Sequence, residues 1–134
     1  MQGAGLPQRI GALLEQQVQC VLATVGGDQP ELHLMAFSFA PQLDRIFLAS
    51  MANTRKVRNM MEHPGVGLLW DNRTRQIQDH IHGVALNASG QARRLFDAES
   101  ADGAATLLQR NPTLAALLDH PDVAIFAIEI SQYR

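Results

Sequence analysis

Three short runs of β-forming residues follow one another near the amino end, joined by links of only a few residues. Cys20-Val21-Leu22-Ala23-Thr24-Val25 is apolar and rich enough in β-branched residues for a buried strand. Gly26-Gly27-Asp28-Gln29-Pro30 ends it as a turn. From Glu31 to Phe39 the pattern alternates: Leu32 and Leu34 point one way, His33, Met35, Phe37 and Phe39 the other. Pro41-Gln42-Leu43-Asp44 connects to Arg45-Ile46-Phe47-Leu48-Ala49-Ser50, which returns as the next strand. Strands linked this closely pair antiparallel, so the segment reads as a meander.

The rest of the chain completes a mainly β pattern with peripheral helices. Pro7 suits a first helical turn, and Ile10, Leu13, Leu14 and Val18 then follow helical spacing, which predicts an amphipathic helix over 7–18. A second helix is predicted over 53–63, with Asn53 as its N-cap, Val57, Met60 and Met61 as its apolar stripe and Pro64 as its stop. Gly65 to Trp70 is a strand, and 71–79 a polar loop containing Asn72, Arg73 and Arg75. Residues 81–95 make a long strand with Gly83 and Gly90 as bend or bulge points. Asp97 caps a helix to about Gln109, Asn111-Pro112 opens another that ends at His120-Pro121, and Val123 to Ile130 closes as a strand apolar on both faces. Six strands with few, short helices predict a curved antiparallel sheet or barrel. No linker composition divides the chain, so residues 1–134 are expected to form one domain.

Composition removes several classes of function. A net charge of −2 argues against binding duplex nucleic acid, which requires a basic excess. An aromatic content of 5% disfavours a stacking platform for single strands. The single cysteine, Cys20, makes neither an internal disulfide nor a structural zinc site, and reads as an inert buried thiol. The start, MQGAGLPQRI, lacks the apolar stretch of a signal peptide. The longest apolar run, Val123 to Ile130 broken by Glu129, falls far short of the ~20 residues of a membrane helix. The expectation is a reduced, cytoplasmic domain with no nucleic-acid or membrane partner.

The segment that carries chemistry is Ser50-Met51-Ala52-Asn53-Thr54-Arg55-Lys56-Val57-Arg58-Asn59. A strand ends and a helix begins at once, with Arg55 and Lys56 in its first turn. A helix amino end is already positive, because its free N–H groups point outward. Cations there cost a few tenths of a kcal/mol each, where Asp or Glu would stabilise. The mismatch resolves if an anion binds, because free amides, the Ser50 or Thr54 hydroxyls and two cations would converge on a phosphate. Solvated surface cations are the plain alternative.

Other candidates are weaker. Gly26-Gly27 lacks dinucleotide-binding spacing and precedes a strand. Asn87-Ala88-Ser89 matches a glycosylation acceptor without a signal peptide ahead of it. His80 and His82 share a strand face, but no third residue has metal-ligand spacing, and a surface pair beside Asp79 is the simpler reading. His33 either reaches a ligand cavity or is a half-exposed strand residue. His63 and His120 each precede a proline and punctuate helix ends. Met35, Met60 and Met61 fit core packing, and a lone Trp70 fits a packing or interface anchor. No catalytic triad, carboxylate pair or Walker motif stands out, so the chain offers a phosphate site without an obvious catalytic group.

In order and spacing the chain resembles the pyridoxamine 5′-phosphate oxidase-like family of FMN-binding split-barrel proteins, from about Leu13 to Ile130. The carrying residues are Val21 to Val25, Leu34-Met35-Ala36-Phe37, Ile46 to Ser50, Thr54 to Asn59, and His63 to Leu69. Gly90-Gln91-Ala92-Arg93-Arg94-Leu95 and the last strand complete the match. The resemblance implies a six-stranded split barrel that forms a homodimer, with FMN in clefts between the subunits. By that analogy Ser50, Thr54, Arg55 and Lys56 hold the FMN phosphate. Met35, Ala36, Phe37 and Ala49 lie along the ring and ribityl chain, largely through backbone, and Trp70 and Asn72 complete the cleft. Flavin proteins leave redox chemistry to the cofactor, so the resemblance points to an oxidoreductase of undefined substrate and electron donor. A non-catalytic flavin carrier or sensor is the alternative, as is a deazaflavin- or haem-binding member of the fold. Vitamin B6 oxidation is disfavoured: residues 32–39 carry no Lys or Arg, and the chain stops at Arg134, soon after its last strand.

Overall fold

The computed structural model describes residues 5–73 and 83–134. Its elements are α1 (Leu6–Gln16), β1 (Gln19–Gly26), β2 (Gln29–Ala36), β3 (Ser38–Phe39), β4 (Arg45–Met51), α2 (Arg55–Glu62), β5 (Gly65–Asp71) and β6 (Ala85–Leu95). Then come α3 (Asp97–Arg110), a 3-10 turn (Pro112–Leu114) running into α4 (Ala115–Leu118), and β7 (Val123–Tyr133). The described strands form one antiparallel sheet in the order β2-β1-β5-β6-β7-β4-β3. Its two edges, β2 and β3, are consecutive in the chain and separated only by Phe37. The sheet therefore curls until its edges meet at that residue, a split barrel with its seam beside β2.

Phe37 also explains why seven strands form where six are expected. Residues 31–39 do not run as one strand, because the chain turns at Phe37 and buries its ring completely. The barrel interior combines Leu22, Phe37, Ile46, Leu48, Leu68, Trp70, Phe126 and Ile128. Helix α1 adds Ile10 and Leu14, and α2 adds Val57 and Met60. A second apolar layer lies outside β4 and β7, where Phe47, Ala49, Ile125 and Ala127 meet Leu95 and Leu107, with Leu114 and Leu117 at its margin. Two-layer packing accounts for the two-faced apolar pattern of the last strand. Gly103 lets α3 approach this layer: a Cβ there would lie 3.0 Å from Ile125 Cγ2. Gly90 sits at the bulge in the β6–β7 pairing, where a Cβ would overlap the Glu129 carbonyl.

The remaining boundaries shift for local reasons. α1 ends at Gln16, and the extended backbone at Gln17 leaves Val18 outside the helix and exposed. α2 begins at Arg55, with Thr54 rather than Asn53 at the cap position. Its Met61 is exposed, and Asn59 takes the inward place. β6 starts at Ala85, not Ile81, and Ile81, His80 and His82 lie outside the described residues. Phe96 occupies the cap position of α3 and Asp97 is its first residue. β7 continues past Ile130 to Tyr133.

Arg110 ties the carboxyl ends of α1 and α3 together. Its guanidinium donates to the carbonyls of Leu14 (3.1 Å) and Gln17 (2.6 Å) and lies 4.8 Å over the Phe37 ring. The outer face of β2, β1 and β5 carries no helix among the described residues. There Leu34 faces Val21, Val21 faces Leu69, and Leu32 and Leu34 are 72% and 68% exposed.

Candidate functional site

A cleft of about 320 Å³ opens beside the seam. Three elements converge on it. The end of β2 brings Met35 and Ala36, the end of β4 brings Ala49, Ser50 and Met51, and the start of α2 brings Thr54 and Lys56. Leu34, Leu114 and Leu117 form its apolar rim. Ser50 shares the inward parity of Ile46 and Leu48, so strand alternation buries it at the end of β4. Ala36 and Ala49 leave the floor free of bulky side chains.

The polar corner is built by the β4–α2 connection. The Thr54 hydroxyl donates to the Met51 carbonyl at 2.9 Å and lies 3.1 Å from Ser50 Oγ. Turned this way, Thr54 makes no side-chain cap bond to α2. The first amides of the helix therefore lack a side-chain acceptor, the situation in which a helix amino end binds anions. The three nearby cations divide. Arg55 is exposed and pairs with Glu31 at 3.5 Å, and Arg58 donates to the Asn53 carbonyl at 3.3 Å. Lys56 is half-buried, lines the cleft and has no carboxylate partner among the described residues.

Of the ten residues expected at a cofactor site, the cleft brings together Met35, Ala36, Ala49, Ser50, Thr54 and Lys56. The other four do not line it. Phe37 turns into the core, and its carbonyl accepts a bond from Asn111 Nδ2 at 3.1 Å. Trp70, 1% exposed, follows the inward parity of β5, with its ring 5.7 Å from Phe37 and 6.5 Å from Tyr133. Arg55 points to Glu31. Asn72 lines a separate cleft of about 390 Å³ together with Leu6, Ile10, Leu13 and Leu86.

Sequence reading missed a polar network behind the cleft. Asn59 is 5% exposed, and its amide nitrogen lies 3.0 Å from Thr24 Oγ1 and 3.1 Å from Glu31 Oε1. Thr24 Oγ1 in turn lies 3.0 Å from His33 Nε2. His33 titrates below its ordinary value, first through burial and then through the charge of Lys56, against an opposing pull from Glu31. A polar Asn on the inward stripe of a helix was the available signal. Cys20 is buried, and burial pushes its thiol up to about 12, which makes it inert.

Among the described residues Lys56 is the one titratable group lining the cleft. The site can therefore hold an anion and an apolar body, and it supplies little acid–base chemistry of its own. Among the described residues no group of three or more His, Cys, Asp or Glu side chains is placed to hold a metal ion. No described helix is long and apolar enough to cross a membrane.

The fold is shared with known proteins. The model of the pyridoxamine 5′-phosphate oxidase family matches residues 6–134. The haem storage protein HutZ of Vibrio cholerae superposes with a TM-score of 0.83 at 16% identity, over 98% of this chain and 94% of that one. A haem-binding protein of Mycobacterium smegmatis gives 0.87 at 14% identity, over 100% of this chain and 55% of that longer one. General Stress Protein 26 of Bacillus anthracis gives 0.73 at 20% identity, over 96% and 91%. Identities this low carry the fold alone. No curated protein matches the sequence.

Proposed function

The chain belongs to the pyridoxamine 5′-phosphate oxidase family, and from that premise we propose that it is a flavoprotein oxidoreductase binding FMN in the β2–β4–α2 cleft. The observation that carries the reading is Lys56, a half-buried cation that has no carboxylate partner among the described residues and stands at a helix start whose cap residue makes no side-chain bond. A phosphate satisfies all of these groups at once. Ser50 and Thr54 supply hydroxyls on the same side. Met35, Ala36 and Ala49 offer an apolar floor for a flat ring. FMN, when bound, would supply the electron or hydride transfer that these side chains cannot. Phe37 then contributes through backbone alone, Trp70 holds the core, and Arg55 supports the charge from outside.

The cleft volume sits at the low end of the roughly 300–1,000 Å³ of small-molecule sites, and one side is open. The uncovered apolar face of Leu32, Leu34, Val21 and Leu69 borders that side through Leu34. A second copy seated there would enclose the ligand, so the active form is a homodimer. The buried thiol of Cys20 fits a cytoplasmic setting. Vitamin B6 is disfavoured as substrate because β2 carries no Lys or Arg for a second phosphate. A flavin carrier without turnover shares the same site, and turnover above free flavin separates the two.

Haem is the second reading, supported by the fold shared with HutZ and the Mycobacterium smegmatis protein. Against it, no histidine among the described residues lines the cleft, and His33 is engaged with Thr24. Fluorescence titration of FMN into the flavin-free protein tests the assignment. Lys56→Ala weakens binding by about 1.5–3 kcal/mol, roughly tenfold to a hundredfold. Undiminished affinity in that variant would refute the phosphate site.

A further inference from the structure

The polar network behind the cleft has its direction set at Asn59. A carboxylate only accepts, so the Asn59 group facing Glu31 Oε1 at 3.1 Å is its N–H₂. The same nitrogen faces Thr24 Oγ1 at 3.0 Å and donates its second hydrogen there. Thr24 is 1% exposed, so no bulk water competes for its hydroxyl. Having accepted from Asn59, the hydroxyl keeps one hydrogen to give, and His33 Nε2 lies 3.0 Å away. A neutral His33 with its proton on Nδ1 would receive it and end the chain of bonds. The chain of bonds crosses from α2 through β1 to β2. Glu31 closes it by pairing its other oxygen with Arg55. Gly26 makes room for the junction: a Cβ there would lie 2.8 Å from both Asn59 Oδ1 and Glu31 Oε1.

Asn59 stands one helical turn after Lys56, so pinning it sets the rotation of α2 and the place of Lys56 at the cleft. We infer that Asn59 and Thr24 form a directional relay that positions Lys56 and holds His33 neutral, coupling the anion affinity of the cleft to the protonation of His33. The charged groups acting on His33 are Lys56 of α2 and Glu31 on its own strand. Across the pairing, β1 presents Leu22 and Thr24. A proton on Nε2 turns an acceptor into a donor, leaves the Thr24 hydrogen without a partner and adds a second cation beside Lys56. An anion in the cleft offsets that added charge, so binding takes up a proton and tightens as pH falls. The coupling rests on the anion-site reading above; the relay itself does not.

The test uses the flavin-free protein first and then FMN. Nitrogen-15 NMR of His33 is expected to show the Nδ1–H tautomer and a midpoint below that of a free histidine. Thr24→Ser keeps the hydroxyl and preserves both signatures. Thr24→Val keeps the shape, loses the tautomer preference and raises the midpoint. In wild type, FMN affinity rises about threefold to tenfold on lowering the pH from 7.5 to 5.5, and His33→Gln abolishes the rise. A His33 protonated on Nε2 at neutral pH, or a midpoint indifferent to Thr24→Val, overturns the relay. The expected tautomer with a flat affinity profile, or with no FMN bound at all, overturns the coupling; only the second of these also overturns the proposed function.

Discussion

Helices α2 and α3 carry opposite charge patterns. α3 follows the electrostatics of its backbone: Asp97 and Glu99 lie in the first turn and Arg110 in the last. Two of these charges, Glu99 and Arg110, also have a use in the fold. Glu99 takes both Arg93 nitrogens at 3.1 and 3.2 Å, and Arg93 reaches Glu129 at 2.9 Å. Arg110 spans to the carbonyls of α1. α2 is inverted, with Arg55 and Lys56 in its first turn and Glu62 at its end. Of its three cations only Arg55 pairs with a carboxylate among the described residues; Arg58 donates to a backbone carbonyl and Lys56 lines the cleft. Charges tied into the fold and a charge left facing a cleft are thereby separable inside one small molecule.

The largest expected effect lies in the packing of α3. Leu107, fully buried, anchors α3, and Leu107→Ala lowers unfolding stability by about 2–5 kcal/mol in denaturant melts. The folded fraction keeps its FMN affinity, because Leu107 does not line the cleft. Lys56→Glu has the reverse signature. It reduces FMN affinity beyond the loss seen in Lys56→Ala, yet raises the stability of the flavin-free protein by about 0.3–1 kcal/mol, since an acid suits a helix amino end. Stability and affinity falling together in that variant would remove the distinction between the two helices.

A smaller effect follows pH. Because folding lowers the His33 midpoint, the unfolded chain holds more protons below the ordinary value of 6.5. Its contribution to stability is complete above pH 6.5 and is lost as pH falls toward the folded midpoint. His33→Gln flattens that part of the stability profile in melts between pH 7.5 and 5. Smallest of all is Glu99→Lys on exposed α3. It lowers the melting temperature slightly, less so in high salt, and leaves FMN affinity unchanged.

Much of the barrel was legible because burial leaves a period in the sequence. The short apolar runs of β1 and β4, and Pro64 after α2, marked elements to within a residue or two. The misplaced cations of α2 marked the polar corner before any geometry was known. What escaped was set by tertiary context. Alternation alone cannot show that Phe37 breaks a strand to close the seam, nor that Leu32 and Leu34 form the outward side of β2. Met61 and Asn59 differ by two positions on α2. Apolarity favoured Met61 for the core, but Thr24 and Glu31 supply bonds that let Asn59 go inward. Trp70 was placed at the cleft, although its strand parity turns it into the barrel.

The most direct test of the FMN assignment is the absorption spectrum of freshly purified protein, followed by mass analysis of the molecule that heat releases. The account predicts an oxidised flavin spectrum and the mass of FMN, with the flavin lost or strongly depleted in Lys56→Glu. A Soret band, or a colourless protein that takes up no added FMN, would contradict it.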